Sequence, residues 1–210
     1  MDTQWVVPFL PHDRISAHAE AVLLKHHPSR QLPMPIEDII DTKLGIDIVP
    51  IPGLTKVLSD DDDDGIESFV NSSLTEISVD EKAYRNQTNR YRFSIAHELG
   101  HIELHQRIFS QLQVESIDDW KRTVRSIPQR EYARLEWQAY CFAGHILVPT
   151  KELTAELNQC LLNVMEQGIS PQDECVRPFI EKHLGDVFAV SSEVIHRRAE
   201  TEQLWRSAAN

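Results

Sequence analysis

Apolar residues recur every three or four positions in several stretches of the chain, a spacing that predicts amphipathic helices. The first helix is predicted over about residues 14–27 with Asp13 as its cap, and a second follows Pro35 and closes at Gly45. A stronger pattern over residues 129–146 ends before Pro149, because the residue before a proline is pushed out of the helical region. Its inward stripe consists of Leu135, Ala139, Phe142, Ala143 and Ile146.

After Pro149, residues 151–160 and 171–184 are predicted to be helical, and Ser191 or Ser192 is expected to cap a last helix that runs to Trp205. Residues 106–128 show no firm pattern, and we expect a loop over residues 110–119. A polar connection over residues 80–89 ends at Thr88 or Asn89, either of which can cap the helix that follows.

Shorter stretches have the alternating pattern of strands. Residues 46–51 alternate apolar and polar side chains, and residues 66–70 and 74–79 form two further short runs joined at residues 71–73. We therefore expect a small antiparallel sheet before the central helix. An edge near residues 74–79 can accept an extended peptide as an added strand, although a purely structural sheet is equally compatible.

The run of aspartates at residues 60–64, followed by Gly65, has the first part of a calcium-loop pattern. The pattern then fails, because Glu67 stands where an apolar residue is expected and Asn71 replaces the final bidentate glutamate. A solvated loop of mutually repelling charges is the favoured interpretation.

The chemistry of the chain centres on residues 92–105, which read RFSIAHELGHIELH. His97 and His101 are separated by one helical turn and can bind one zinc ion, while Glu98 lies close enough to accept a proton from an attacking water. Ile95, Leu99 and Ile102 form an apolar stripe that anchors this helix. Gly100 costs about 1 kcal/mol relative to alanine in a helix interior, so we expect it to permit close packing near the metal.

Zinc in a catalytic site needs a third protein ligand. Glu136 is the best candidate, since it lies one position from the apolar stripe of the second long helix, and Glu131 and His145 are its rivals there. His105 stands one turn beyond His101, but a rise of about 12 Å from His97 prevents one ion from binding all three histidines. His105 is expected either to line the site or to fill the core.

The composition of the chain limits the classes of partner that it can bind. With 21 basic and 33 acidic side chains the net charge is −12, which argues against direct binding of nucleic acid. The N-terminus lacks a run long enough for a signal peptide or a membrane span, and the three cysteines form no C-x-x-C pair. We expect a cytoplasmic protein with no membrane partner; the sequence carries no signal of an oligomeric state.

The metal helix followed by the pattern E136-x-x-A139-x-x-F142-A143-x-x-I146-L147-V148-P149 resembles the ImmA/IrrE family of metallopeptidases. The resemblance covers about residues 46–149. It implies Zn²⁺ bound by His97, His101 and Glu136, with Glu98 as the catalytic base. Ser94, Ile95 and the Ile-Leu-Val segment before Pro149 depart mildly from the family pattern without affecting the chemistry.

The expected fold is therefore α+β: a small antiparallel sheet, an HExxH zinc-peptidase helical core over residues 1–150, and a helical C-terminal region over residues 151–210 for docking or packing. The segment Phe188–Ser191 resembles the FxVS turn of many family members, and its acidic surroundings favour packing or partner docking over DNA binding. Candidates for stabilising the oxyanion are Tyr84, Tyr91, Tyr132, Tyr140 and His105.

By resemblance, the substrate is a helix–turn–helix transcriptional repressor, a separate protein that is cleaved in a stress or mobile-element response. An acidic chain is expected to dock on such a repressor directly, through the C-terminal helices or the sheet edge. The alternative is a non-catalytic module that binds a regulator, or acts in a toxin–antitoxin pair, with a structural zinc. Glu98 argues against this alternative, because a structural site needs no base and usually has four protein ligands.

Overall fold

The computed structural model describes residues 5–55, 67–86, 88–112, 116–171, 173 and 175–207. The strands are β1 (Asp47–Ile51), β2 (Ser68–Val70) and β3 (Glu76–Asp80). The helices are α1 (His12–His26), α2 (Ile36–Asp38, continued by a π-helical turn at Ile39–Lys43), α3 (Glu81–Asn86), α4 (Thr88–Phe109), α5 (Ile117–Ser126), α6 (Gln129–Leu147), α7 (Thr150–Glu166), α8 (Val176–Phe188), α9 (Ser192–Thr201) and α10 (Leu204–Ser207). The predicted α+β class is confirmed. The acidic run at residues 60–65 lies outside the described residues.

The sheet has the order β1-β3-β2 and is mixed. The predicted antiparallel pairing is confirmed for β2 and β3, with Phe69 opposite Ser78, whereas β1 runs parallel to β3 with Asp47 opposite Glu76. β3 is therefore the central strand, and the prediction of a sheet edge near residues 74–79 is wrong. Side-chain alternation shows which residues form strands but not which strands pair, so the sequence pattern left this order open.

Helices α4 and α6 pack directly against each other and form the centre of the molecule. Ile95 and Leu99 on α4 are fully buried, as are Phe142 and Ile146 on α6. A Cβ atom added at Gly100 would lie 3.0 Å from the Cα and carbonyl oxygen of Ala139. Gly100 therefore permits the close approach of the two backbones, as its position in the metal helix predicted.

Helix α1 covers one side of α6 with the predicted inward residues. Ile15, Ala19, Val22 and Leu23 are all buried. The predicted cap at Asp13 is wrong, because the helix already begins at His12 and Asp13 lies in its first turn. The carbonyl of Pro11 accepts the backbone N–H groups of Arg14 and Ile15.

The main helix that the sequence analysis missed is α5, which lies within the stretch without a firm pattern. The predicted loop at residues 110–119 is wrong from Ile117 onward. Ser116 caps the helix by accepting the N–H of Asp119, and this serine with an acidic residue three positions later was a usable signal. The apolar spacing of Ile117, Trp120 and Val124 was a second signal.

The start of α4 also differs from the expectation. Thr88 and Asn89 lie inside the helix, so neither is its cap. The Asn89 side chain instead donates to the carbonyl of Val190, 3.1 Å away, and Arg92 donates to the carbonyls of Ala189 and Met34. These bonds hold the metal helix against the α8–α9 turn and the segment before α2.

The C-terminal helices share the main hydrophobic cluster with the preceding segment, since Leu147, Leu153, Leu184 and Ile195 all belong to it. The Phe188 and Val190 side chains of the FxVS turn are buried, which confirms a packing role for them. Ser191 caps α9 as predicted, accepting the N–H of Val194. The division of the chain near residue 150 stays a prediction. No helix in the described part of the chain is long and apolar enough to cross a bilayer.

The Gly100 contact generates a stability prediction. Gly100→Ala gains about 1 kcal/mol of helix propensity but forces a methyl group against the Ala139 backbone, and such overpacking costs about 1–3 kcal/mol. Because the cost exceeds the gain over most of this range, we expect a net loss of about 1 kcal/mol, and at most about 2 kcal/mol, in the free energy of unfolding measured by urea denaturation. The exposed Gln106→Ala on the same helix is the control and should stay within about 0.5 kcal/mol of wild type. Equal or higher stability of Gly100→Ala would contradict a tight contact.

Candidate metal centre

The structure brings His97, His101 and Glu136 together. The two histidines lie one turn apart on α4, and Glu136 faces them from α6. The Nε2 atoms of the histidines are 3.0 Å apart. Glu136 lies 3.1 Å from His97 Nε2 through Oε2 and 3.5 Å from His101 Nε2 through Oε1.

These distances fit the ligand set of a zinc ion. Zinc–nitrogen bonds of about 2.0–2.1 Å in a tetrahedral site place two ligand atoms about 3.3 Å apart. The three side chains offer ligand atoms that all lie within 4.8 Å of one another. Three converging ligands leave a fourth position open, as catalytic zinc requires.

The charges of the centre favour the ionised form of Glu136, which is the form that binds a metal cation. Burial alone would raise the pKa of Glu136, but the neighbouring His101 and His97 outweigh burial and hold the pKa well below its usual range. Burial alone would lower the pKa of His97, but the hydrogen bond and charge of Glu136 raise it. The ionised carboxylate therefore suits a cation, which has to displace the proton that the raised pKa favours on His97.

Glu98 is almost fully buried and lines the same cavity as the three candidate ligands. Its Oε1 accepts a hydrogen bond from the hydroxyl of Ser68 on β2 at 2.8 Å. The contact orients the carboxylate toward the cavity from a strand 30 residues away in the chain. Sequence reasoning missed Ser68, since no spacing along the chain relates a strand serine to the helix.

His105 lies behind His101, away from the converging ligands. Its Nδ1 is 3.1 Å from His101 Nδ1, and its Nε2 is 2.8 Å from Gln138 Oε1. Burial, together with the neighbouring His101, lowers its pKa to about 3, so the ring is neutral at ordinary pH. The histidine supports the centre from behind.

The two rival ligands have other partners. Glu131 accepts the backbone N–H of Val7 at 2.7 Å and pairs with Arg134. His145 faces His12, with 3.1 Å between their Nε2 atoms, in a second group that includes Glu202. The Arg198 guanidinium donates to Glu202 at 2.8 Å and lies 3.5 Å from His145, so a permanent positive charge already occupies this group.

A cavity of about 560 Å³ opens beside the candidate ligands. On one side lie the β2 strand residues Ser68 and Val70. Its other walls come mainly from α4, α5 and α6 and are largely apolar, including Ile108, Phe109, Leu112, Trp120, Val124, Ile127 and Leu135. Ser191 and Val194 of the C-terminal helices complete the lining.

Of the candidate oxyanion-stabilising tyrosines, Tyr132 and Tyr140 line this cavity. Tyr91 is buried and packs edge-on against Tyr84, outside the lining. The structure therefore narrows the tyrosine candidates to Tyr132 and Tyr140.

Comparison with known families agrees with this arrangement. The sequence model of the family described as "Peptidase_M78: IrrE N-terminal-like domain" matches residues 83–200, more than half of the chain. The chain belongs to the IrrE N-terminal-like peptidase family. Its function is thus of the metallopeptidase type. No individual curated protein matches the chain.

The matched region of this IrrE-like chain contains α4 and α6, which provide all the candidate ligands, and the α8–α9 turn that holds α4. It begins after the sheet, so β2 with Ser68 lies outside the match. The N-terminal segment that contacts α6 through Val7 also lies outside it.

The positions of Glu136 and Glu131 generate the first prediction on the centre. Glu136→Ala removes a converging ligand atom, and we expect the purified protein to lose its bound metal. Glu131→Ala is the matched control on the same helix and should retain metal at the wild-type level. Metal content is measured by atomic emission after gel filtration. Equal metal content in both variants would remove Glu136 from the centre.

The His12–His145 pair generates a pH prediction. Burial, then the charges of Arg198 and His12, lowers the pKa of His145 to about 3. The unfolded chain, with a histidine pKa of about 6.5, binds a proton that the folded chain does not. The stability that His145 contributes is thus complete above about pH 6.5 and falls toward pH 3, by about 1.4 kcal/mol per pH unit.

Urea unfolding of metal-free protein at several pH values between 6 and 4.5 tests this. The His145→Gln variant should lose stability less steeply than wild type as the pH falls, by about that slope. Parallel stability curves for the two proteins would show that His145 is not held neutral.

Proposed function

We propose that this chain is a zinc-dependent endopeptidase of the gluzincin type, in which His97, His101 and Glu136 bind zinc and Glu98 is the catalytic base. The observation that carries the proposal is the convergence of three ligand atoms within 4.8 Å beside a buried glutamate on the wall of one cavity. The alternative of a structural zinc does not explain the cavity or the position of Glu98 on its wall.

The bound metal would supply a Lewis acid that makes water nucleophilic near neutral pH and polarises the peptide carbonyl. The Glu98 carboxylate would accept the proton of the attacking water and transfer it to the leaving amine. The hydroxyl of Ser68 occupies one oxygen of Glu98, which leaves the other oxygen to exchange the proton. Tyr132 or Tyr140 would donate to the oxyanion from the cavity wall.

The edge of β2 suits an extended substrate. Glu67 and Asn71 form backbone hydrogen bonds with β3, so the alternation of an antiparallel pair directs the backbone groups of Ser68 and Val70 away from β3. β2 is an edge strand of the described sheet, and both residues line the cavity. A peptide added to this edge would pass the metal centre, with its side chains against the apolar wall.

The substrate we propose is a helix–turn–helix repressor, a separate protein cleaved in a cytoplasmic stress or mobile-element response. Three free thiols, Cys141, Cys160 and Cys175, agree with a reducing compartment. The net charge of −12 favours docking on the repressor rather than on its operator DNA. Ser191 and Val194 line the cavity, so we expect the C-terminal helices to lie beside the bound substrate.

Glu98→Gln tests the mechanism. The amide keeps the shape of the side chain and leaves all three proposed ligands, but it cannot accept a proton. We expect unchanged zinc content and at least a hundredfold loss of cleavage when the variant is incubated with a helix–turn–helix repressor that the wild-type protein cleaves. Gln106→Ala, at an exposed position outside the cavity lining, serves as the active control. Cleavage by Glu98→Gln at the wild-type rate would refute the role of Glu98 as base.

A further inference from the structure

We propose that Gln138 and His105 are positioning residues: together they determine which ring nitrogen of His101 carries the proton and leave Nε2 free to bind the metal. The proposal deepens the proposed function and rests on it for the identity of His101 as a ligand. It assigns a role to two buried polar side chains that take no part in the chemistry directly.

The chain of hydrogen bonds begins at Pro8 in the N-terminal segment. The Pro8 carbonyl oxygen lies 2.8 Å from Gln138 Nε2 and can only accept, so the amide group of Gln138 must face it with its NH₂ side. The opposite orientation would place two acceptor oxygens in contact. Gln138 Oε1 is thereby directed at His105 Nε2, 2.8 Å away.

The proton positions of the two histidines follow from this orientation. An amide oxygen has no proton to donate, so His105 Nε2 carries one and, in a neutral ring, His105 Nδ1 has a lone pair. His101 Nδ1 lies 3.1 Å from that lone pair and must therefore carry the proton of this hydrogen bond. His101 Nε2 is then the unprotonated nitrogen, and it is the atom that faces His97 and Glu136.

The arrangement benefits a metal ligand in two ways. Only an unprotonated nitrogen binds a metal, so a ring already held in that tautomer needs no proton rearrangement. The hydrogen bond also fixes the orientation of the ring, and the loss of such a contact typically costs about 10–100-fold in metal affinity. His101, His105 and Gln138 are 4%, 2% and 0% exposed. Water therefore cannot replace a hydrogen-bond partner that a substitution removes.

The N-terminal segment is the fixed end of this chain of bonds. Pro8 lies outside the matched family region, whereas Gln138, His105 and His101 lie inside it. Two further bonds reinforce the contact: Glu131 accepts the N–H of Val7, and Arg134 donates to the carbonyl of Val7. The backbone at residues 7 and 8 is therefore held firmly enough to orient the Gln138 amide.

The experiment compares Gln138→Leu with His145→Gln, a substitution of an equally buried polar residue on the same helix. Zinc affinity of the folded proteins is measured by competition with a chelator. In parallel, ¹⁵N NMR of metal-free protein at pH 8 identifies the protonated nitrogen of His101. We expect a zinc dissociation constant about 10–100-fold higher for Gln138→Leu and unchanged for His145→Gln. We also expect His101 to carry its proton on Nδ1 in wild type and to mix tautomers in Gln138→Leu.

Should Gln138→Leu fail to fold, His105→Phe provides the second variant, since it keeps an aromatic ring but can form neither hydrogen bond. Where both single variants fold, the double variant should bind zinc no more weakly than the weaker single variant, because both substitutions break one chain of bonds. Additive losses would indicate two independent packing defects and would overturn the proposal.

Wild-type zinc affinity in folded Gln138→Leu, or a proton on Nε2 of His101 in metal-free wild type, would also overturn it. These failures are distinct from failure of the proposed function. If Glu136→Ala loses zinc while Gln138→Leu keeps it, the metal centre stands and the positioning role falls. If Glu136→Ala keeps zinc, the metal centre itself is wrong.

Discussion

The contact between α4 and α6 at Gly100 and Ala139 is the constraint on which the candidate centre depends. Two of the converging side chains come from α4 and the third from α6, so the spacing of their ligand atoms is set by the approach of the two backbones. A Cβ atom at Gly100 would meet backbone atoms at 3.0 Å, and backbone cannot move aside as a flexible side chain can. The glycine that weakens the helix locally thus permits the distances of about 3 Å that a metal ion requires.

The core behind the centre is polar, and its stability depends on complete pairing. Burying an amide or an imidazole without a hydrogen-bond partner costs on the order of several kcal/mol. Here each buried group on the path from His101 to Pro8 has a hydrogen-bond partner. When every group along such a path is hydrogen-bonded, each donor must point toward the carbonyl at the end of the path, because a carbonyl can only accept. The same hydrogen bonds therefore pair the buried polar groups and hold His101 in the tautomer that can bind a metal.

Two clusters in the described part of the chain contain histidines and a glutamate at similar distances, and the charge beside each distinguishes them. Near His97 and His101 the ionised Glu136 supplies a negative charge that suits a cation. Near His12 and His145 the guanidinium of Arg198 supplies a positive charge that pairs with Glu202. Burial is the larger cause of the lowered pKa of both histidines, and the charge of Arg198 lowers the pKa further. The second cluster therefore joins α1, α6 and α9 as a structural contact, while the first remains suited to a cation.

The sequence by itself determined the features that depend on local spacing: the long helices α1, α4 and α6, their inward stripes, the pair His97 and His101, and Glu136 as the best third residue on α6. Helical periodicity places such residues on one face whatever surrounds them. Only the tertiary structure decided the parallel pairing of β1 with β3, the contact of Ser68 with Glu98, and the path from His101 through His105 and Gln138 to Pro8. Apart from the His101–His105 contact, which spans one helical turn, these contacts join residues 29 to 130 positions apart. The local pattern of the chain carries no information about which distant residue will supply a partner. Helix α5 lies between the two cases. Its cap at Ser116 and Asp119 can be read from the sequence, but its apolar stripe is weak, and only the tertiary structure shows that Trp120 packs against Phe69.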